Sequence, residues 1–553
     1  MSNQTSPEVT AHSPEWKNWS GNIQYNGKNY YFSPKTKADL KSVLADAKAK
    51  GVTVRVSGQR HSQPALVTDD NRHQSPPLNP TLYLVDMSCY VDVGEDGMEL
   101  GLGANQVTVN PGVREDDLDA FLIKHKLMMK TVTAGGFFSI GGMSVVDVHG
   151  STIDAPIFAE TISAFTIMNA DGQERIINRN SKDQDGNPLL PFARVSLGAL
   201  GIITRVVIDT LSRPLITTLQ GGKAHYLLKD KQAFTIKFKQ LLNRPLKHDR
   251  IEVFYTPYAA ASNLPIPAMK NFLVLWWDVD SNSHSKTPNL DLDLGQNTTA
   301  CTFSNEKKFG APCVTGIEKY GVSFARKSQY FDSPYSLLHW PPIPPSGYAA
   351  IALNEIKHQV KVANSKHSEL WLTKAAQVMF MSYFIELPAL DETGLEKVWD
   401  GLQVVGDYVI QEKNFHIAAP MEFRFVKGGD SVMSGTYTKN PNTWFVNLDV
   451  IGFIEPTTST EYPSALIKFF AFVERKWIEM GGLPHNGKMY GFYDPKDSNK
   501  DSFTPPFNKN FLSFITQRRI ERGAPIEAFK KYRQYCDRDN RFYNSYLRKL
   551  LGD

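Results

Sequence analysis

The chain has 553 residues, 41% of them hydrophobic and 21% charged, with a formal net charge of +4. That length exceeds one compact domain, and so small a charge, with no dense Lys/Arg run to follow a phosphate backbone, argues against a nucleic-acid-binding protein. None of the four cysteines forms a C-x-x-C pair, so no metal site is expected, although Cys301 and Cys313 stand close enough to bridge a loop in an oxidising compartment.

Residues 1–24 read as a polar N-terminal arm with Pro7 and Pro14 and no apolar signal core. No window approaches about 18 consecutive apolar residues, so no membrane-spanning helix is expected. The expected location is cytoplasmic, or secreted if a leader was removed. A strand is expected at 29–32. Leu40, Val43, Leu44 and Ala47 share one face of a predicted helix over 36–51, which Gly51 stops. Strands follow at 53–56 and 82–87, then a pair at 99–101 and 106–109, and a helix at 114–125. Residues 131–150, TVTAGGFFSIGGMSVVDVHG, hold five glycines and no Lys or Arg, the texture of backbone that another group approaches closely. Strands are expected at 164–169, 172–177 and 202–210, with a helical turn at 193–198.

Beyond residue 215 aromatic residues grow denser, as at Trp276-Trp277 and Trp340, and prolines cluster at 341–345. Strands at 272–277 and 378–385 predict a sheet backed by helices. Residues 278–312 read as an exposed polar loop. The chain after Pro484 reads as loop-rich. One basic amphipathic helix is expected over 530–549, with Tyr532, Tyr535, Phe542, Tyr543 and Tyr546 on or near its packed face.

Three motifs carry chemistry. In residues 54–62, VRVSGQRHS, a strand runs into a loop whose amides and hydroxyls suit a phosphate; alone, His61 is an ordinary loop histidine. The 131–150 segment ends Asp147-Val148-His149-Gly150. It matches neither the G-x-G-x-x-G dinucleotide fingerprint nor a Walker A loop. Residues 196–204, SLGALGIIT, feed a glycine turn into a strand.

Together, Gly58-x-x-His61, the 135–150 glycine segment and the Ser196–Ile202 turn resemble FAD-binding flavoproteins of the vanillyl-alcohol oxidase group, over roughly residues 25–215. That group includes aldonolactone and alditol oxidases. The Gly58-x-x-His61 spacing, the Asp147–Gly150 ending and Pro420-Met421-Glu422-Phe423-Arg424 look most similar to the type II, covalent-flavin cholesterol oxidases. The resemblance implies an α+β protein: a two-subdomain FAD-binding domain (25–215), an α+β substrate-binding domain with a large antiparallel sheet (216–484), and a C-terminal segment (485–553) returning to the FAD domain. It implies FAD held through a covalent 8α-histidyl bond at His61, with Ser57, Gly58, Gln59, Arg60 and Ser62 around the pyrophosphate. Gly135, Gly136, Ser139, Gly141 and Gly142 would line the cofactor's path, and His149, Gly150, Ile202 and Ile203 would complete the pocket.

On a strand, Glu422 and Arg424 point to one face, where Glu422 is a candidate base and Arg424 a stabiliser of developing charge. Lys488 and Asn486, in Pro484-His485-Asn486-Gly487-Lys488, are candidate hydrogen-bonding groups for the substrate oxygen or flavin edge, and Glu252 is a candidate pocket acid. Relatives often have Trp at the position of Asn486, which weighs against a sugar-type substrate. The expected reaction is oxidation of a hydrophobic secondary alcohol, a 3β-hydroxysterol, with O2 reduced to H2O2. The competing expectation is an alditol or sugar-lactone oxidase or dehydrogenase. The expected partners are a small-molecule alcohol and O2, without nucleic acid, and peripheral membrane contact is compatible with the sequence.

Overall fold

A computed structural model describes residues 9–75, 79–133, 136–213, 218–243, 250–259, 270–280, 378–412, 415, 421–453, 464–501 and 508–552. The first helix forms where the sequence predicts it, over Lys37–Lys50. Thr36 and Asp39 close a reciprocal capping box, and Gly51 ends the helix at φ 70°. The helix buries Leu40, Val43, Leu44 and Ala47 against a three-stranded parallel sheet ordered Tyr31–Phe32, Leu82–Val85, Thr53–Val56. The expected strand at 29–32 is only two residues long, because Asn29 turns left-handed at φ 50°.

A second, antiparallel sheet has the order Glu174–Asn178, Ile162–Met168, Ile202–Asp209, Gln106–Val109, Met98–Leu100. The helix Glu115–Lys124 follows its hairpin. The helical turn expected at 193–198 does not form. The short helix is Leu190–Ala193, and beyond it Val195 and Leu197 adopt φ of 50° and 57°. Val195 and Leu197 donate their amides to Ser144 O and Val145 O, so docking onto the glycine-rich segment overrides local helical preference.

The third sheet is antiparallel, with seven strands among the described residues. Their order is Thr218–Leu228, Lys270–Asp280, Arg250–Ala259, Met421–Lys427, Trp444–Phe453, Val378–Leu387, Leu483–Pro484. Alternation along each strand separates its faces. Phe423 packs toward Phe234 and Phe238 of the helix Lys231–Leu242, and Leu448 lies against Gly401 of the helix Glu392–Gln411. Glu422, Arg424 and Asp449 therefore face the other way, toward the FAD-side sheets. Residues 278–280 of the expected loop extend a strand; 281–312, Cys301, Cys313, Trp340, the 341–345 prolines and Pro420 lie outside the described residues.

The chain's end is more helical than expected. Lys509–Glu521, Ile526–Cys536 and Ser545–Leu551 are three separate helices, not one over 530–549. The break comes at Asp537, whose carboxylate accepts from the amides of Arg541 (2.7 Å) and Phe542 (2.8 Å), and at Asn540 with φ 55°. The N-terminal arm is also built in: Trp16–Lys17 pairs with Gln24–Tyr25, and Trp16 is buried. None of the described helices is long and apolar enough to cross a membrane.

Candidate active site

Arg55 organises the first half of the site. It is buried at the end of a parallel strand, and all five of its N–H groups are spent on backbone carbonyls. Nε and Nη2 donate to Leu66 O (2.9 and 2.6 Å), Nη2 also to Leu197 O (2.7 Å), and Nη1 to Gly198 O (2.9 Å) and Phe542 O (2.7 Å). One side chain thus joins the 57–66 loop, the glycine turn and the C-terminal segment. Burial pulls its pKa down to about 10.

A single cleft runs from here to the large sheet. Ser57, Gly58, Gln59, Arg60, His61 and Ser62 line it together with Ser139, Gly141, Gly142, His149 and Ile203. At its far end stand Glu252, Glu422, Arg424, Asp449 and Lys488. Ser57 Oγ accepts from Trp16 Nε1 at 2.8 Å. Arg60 sits at φ 60°, a conformation that costs a non-glycine residue roughly 1–2 kcal/mol. Glycine lets surfaces approach closely here. A Cβ at Gly58 would lie 2.7 Å from Ser139 Oγ, and one at Gly141 the same distance from Pro111 Cβ.

His61 is half-buried beside Trp19 (ring centroids 4.4 Å apart) and Phe138 (4.8 Å), and its solvent-shielded Nδ1 has no hydrogen-bond partner. Burial, with Lys488 and His485 nearby, holds its pKa well below the ordinary value, so the ring is neutral. A long cleft walled by side-chain-poor backbone, with an orphaned imidazole nitrogen on its wall, fits a flat ring carrying a diphosphate.

The far end is ionic. Arg424 Nη2 lies 2.5 Å from Glu422 Oε1 and 3.8 Å from Asp449 Oδ2. The register sets Glu422 opposite Asp449, Asp449 opposite Ser382, and Arg424 opposite Asn447, so these groups share one face. Burial first, and Glu422 second, hold Glu252 well above the carboxylate range. The same two causes push Asp449 up to about 6. Burial disfavours the Arg424 cation, but Glu422, Glu252 and Asp449 outweigh it and its pKa rises. Burial pulls Lys488 below its ordinary value against the attraction of Asp449; its ammonium sits 4.2 Å above the Phe380 ring.

Four expected residues are absent from the cleft wall. Asn486 is fully buried behind it, donating through its side chain to Asp147 Oδ2 (2.6 Å) and Met433 O (2.8 Å) and accepting from Arg519 (3.0 Å). It is an internal brace between segments, with no polar group left for substrate. Gly136 turns at φ 69°, and its carbonyl accepts from Asp116 N at the start of a helix. Gly150 packs backbone on backbone, where a Cβ would lie 2.3 Å from Val132 O. Ile202 belongs to the core with Leu40, Val43 and Tyr83. Gly135 lies outside the described residues.

Residues 29–178 match the family model described as FAD binding domain, and residues 393–550 match that of D-arabinono-1,4-lactone oxidase. The chain is an FAD-binding flavoprotein. Along 98% of its length it is 23% identical to an L-gulono-1,4-lactone dehydrogenase of Mycobacterium tuberculosis, all of which is covered. It is 22% identical over 97% of its length to the mitochondrial L-galactono-1,4-lactone dehydrogenase of Arabidopsis thaliana, 80% of which is covered. The flavoprotein's fold is that of cholesterol oxidases. A solvent-stable cholesterol oxidase superposes with a TM-score of 0.68 at 17% identity, and the enzyme from B. sterolicum with 0.67 at 14%, each covering both chains fully. The flavoprotein is an oxidoreductase that uses FAD.

Sequence reasoning passed over Asp449, Arg55 and Trp19. Asp449 had a signal: Asn447 and Asp449 are the two polar residues, two apart, in the apolar run Trp444–Phe453. Trp19 had none, because its partner is 42 residues away and no local period marks it.

Proposed function

We propose that the protein oxidises a carbinol carbon of a sugar-lactone or alditol substrate. The observation that carries this reading is the group of two cations and three carboxylates at the end of the cleft. These groups pair with one another, yet Glu252 Oε2, Arg424 Nε and Asp449 Oδ1 have no hydrogen-bond partner; a polyhydroxylated substrate can meet them, whereas a sterol ring would leave them unmet at a cost of about 1–3 kcal/mol each. The full-length likeness to lactone dehydrogenases and the 393–550 match favour the same substrate class. The sterol expectation keeps only the shared fold in its support.

FAD, when bound, supplies a two-electron acceptor for the hydride leaving the carbinol carbon. Glu422, paired with Arg424, takes the hydroxyl proton at a carboxylate oxygen. Arg424 and Lys488 donate to the oxygen on which charge develops. Glu252, held protonated, donates to a second substrate hydroxyl. His61 is the attachment residue, supported by its place in the cleft wall and its neutral imidazole with an unpartnered Nδ1. Attachment would join an imidazole nitrogen of His61 to the 8α-methyl carbon of the flavin, with loss of one N–H and one C–H bond and the two protons and two electrons leaving to dioxygen.

The test is anaerobic mixing of the purified yellow protein with L-gulono-1,4-lactone, D-arabinono-1,4-lactone, alditols and a 3β-hydroxysterol. Loss of the flavin's visible absorbance with a lactone or alditol is expected; bleaching by the sterol alone overturns the reading. Readmitting air, or adding an artificial acceptor, separates oxidase from dehydrogenase. Acid precipitation of wild type and His61→Ala tests attachment: flavin is expected to stay with the wild-type polypeptide and leave the variant.

A further inference from the structure

Residues 16–25 precede the stretch that matches the FAD binding domain, yet they grip the His61 loop along its length. Trp16 Nε1 donates to Ser57 Oγ (2.8 Å), Trp19 N to Arg60 O (2.8 Å), Asn18 Nδ2 to Ser62 O (3.1 Å) and Asn22 Nδ2 to Gln63 O (3.0 Å). Trp19 contributes twice. Its amide pins the carbonyl of Arg60, the left-handed residue immediately before His61. Its indole lies 4.4 Å from the imidazole, tilted by 38°, and Phe138 meets the same imidazole at 4.8 Å and 63°. Since no hydrogen bond orients Nδ1, the ring's attitude rests on aromatic packing, with Trp19 the nearest ring, then Phe138, and Phe137 edge-on at 6.1 Å.

We infer that Trp19 is a positioning residue that holds the His61 imidazole in the attitude required for bonding to flavin. The inference rests on the proposed attachment at His61. A nitrogen free to rotate away from the methyl carbon spends less time in the reactive geometry, and losses of this kind reach tenfold and more. Trp19→Ala removes the ring and keeps the amide that pins Arg60, so it isolates the aromatic wall. Trp19→Phe restores a flat wall of smaller area.

Apoprotein of wild type, Trp19→Ala and Trp19→Phe is incubated aerobically with FAD. Total bound flavin and the fraction surviving acid precipitation are followed in time, with melting temperatures recorded alongside. The expected result is a Trp19→Ala protein that binds FAD to the wild-type level and attaches it on the order of tenfold more slowly, with most of the rate recovered in Trp19→Phe. Attachment at the wild-type rate in Trp19→Ala overturns the role of Trp19 and leaves the attachment itself standing. Loss of total binding in Trp19→Ala without recovery in Trp19→Phe also overturns it, because the residue would then serve folding. Flavin released by acid from the wild type overturns the attachment and this role together.

Discussion

Asp449 is a buried carboxylate that the fold holds at a cost, and Asp449→Asn measures that cost. Burial and the neighbouring Glu422 raise its pKa from 3.8 to about 6. A raised folded-state pKa means that the folded chain binds more protons than the unfolded chain between those values. The contribution of Asp449 to stability is therefore fully present below about pH 4 and is lost as pH rises through 6. At about 1.4 kcal/mol for each pH unit, keeping Asp449 ionised in the folded protein costs roughly 3 kcal/mol at pH 8. Asparagine has nearly the same shape, retains an acceptor for Ser382 and carries no charge. The apoprotein of the variant is expected to melt several degrees above wild type at pH 8, and the gap is expected to close as the pH falls from 6 toward 4. Turnover should move the other way, because Lys488 loses the carboxylate that favours its ammonium form. Melting curves from pH 4 to pH 8, with rates on the same samples, test both halves. A gap independent of pH, or a variant that melts lower at pH 8, would refute the reasoning.

Glu422→Gln keeps the shape of the Arg424 contact and removes the proton acceptor. Flavin content should be unchanged, and the rate of flavin reduction under single-turnover conditions should fall by about 10²–10⁴-fold. Arg55→Met leaves the carbonyls of Leu197, Gly198 and Phe542 without their side-chain donor in a buried place, while Leu66 O keeps only Asn544 Nδ2 at 3.3 Å. With about 1–3 kcal/mol for each carbonyl left unsatisfied, the variant should lose FAD readily and expose the C-terminal segment to protease; a variant as protease-resistant as wild type would contradict the role given to Arg55.

Much of the FAD-side architecture is legible in the sequence because its signals are local. Thr36, Asp39 and Gly51 are adjacent to the helix they cap. Strands 53–56 and 106–109 have the predicted bounds because a run of branched residues and the turn beside it lie within a few positions. Glu422 and Arg424 meet because a two-residue spacing on a strand is itself a statement about direction.

Other features needed the folded chain. Leu197 turns left-handed because Val145 O is there to receive its amide. The final helices separate at Asp537 because its carboxylate captures two amides across the break. Asn486 sits in a motif that reads as catalytic, yet a buried Asp147, Met433 and Arg519 claim every polar atom of its side chain, and these partners come from three remote segments. Trp19 reaches His61 only when the N-terminal arm folds back over the loop. By itself the sequence determined which residues belong to which element and which face of it they occupy, since those follow from backbone periodicity and the chemistry of near neighbours. Tertiary structure decided which polar groups are left facing the cleft, because a side chain is free to act only after every distant segment that could satisfy it has been packed.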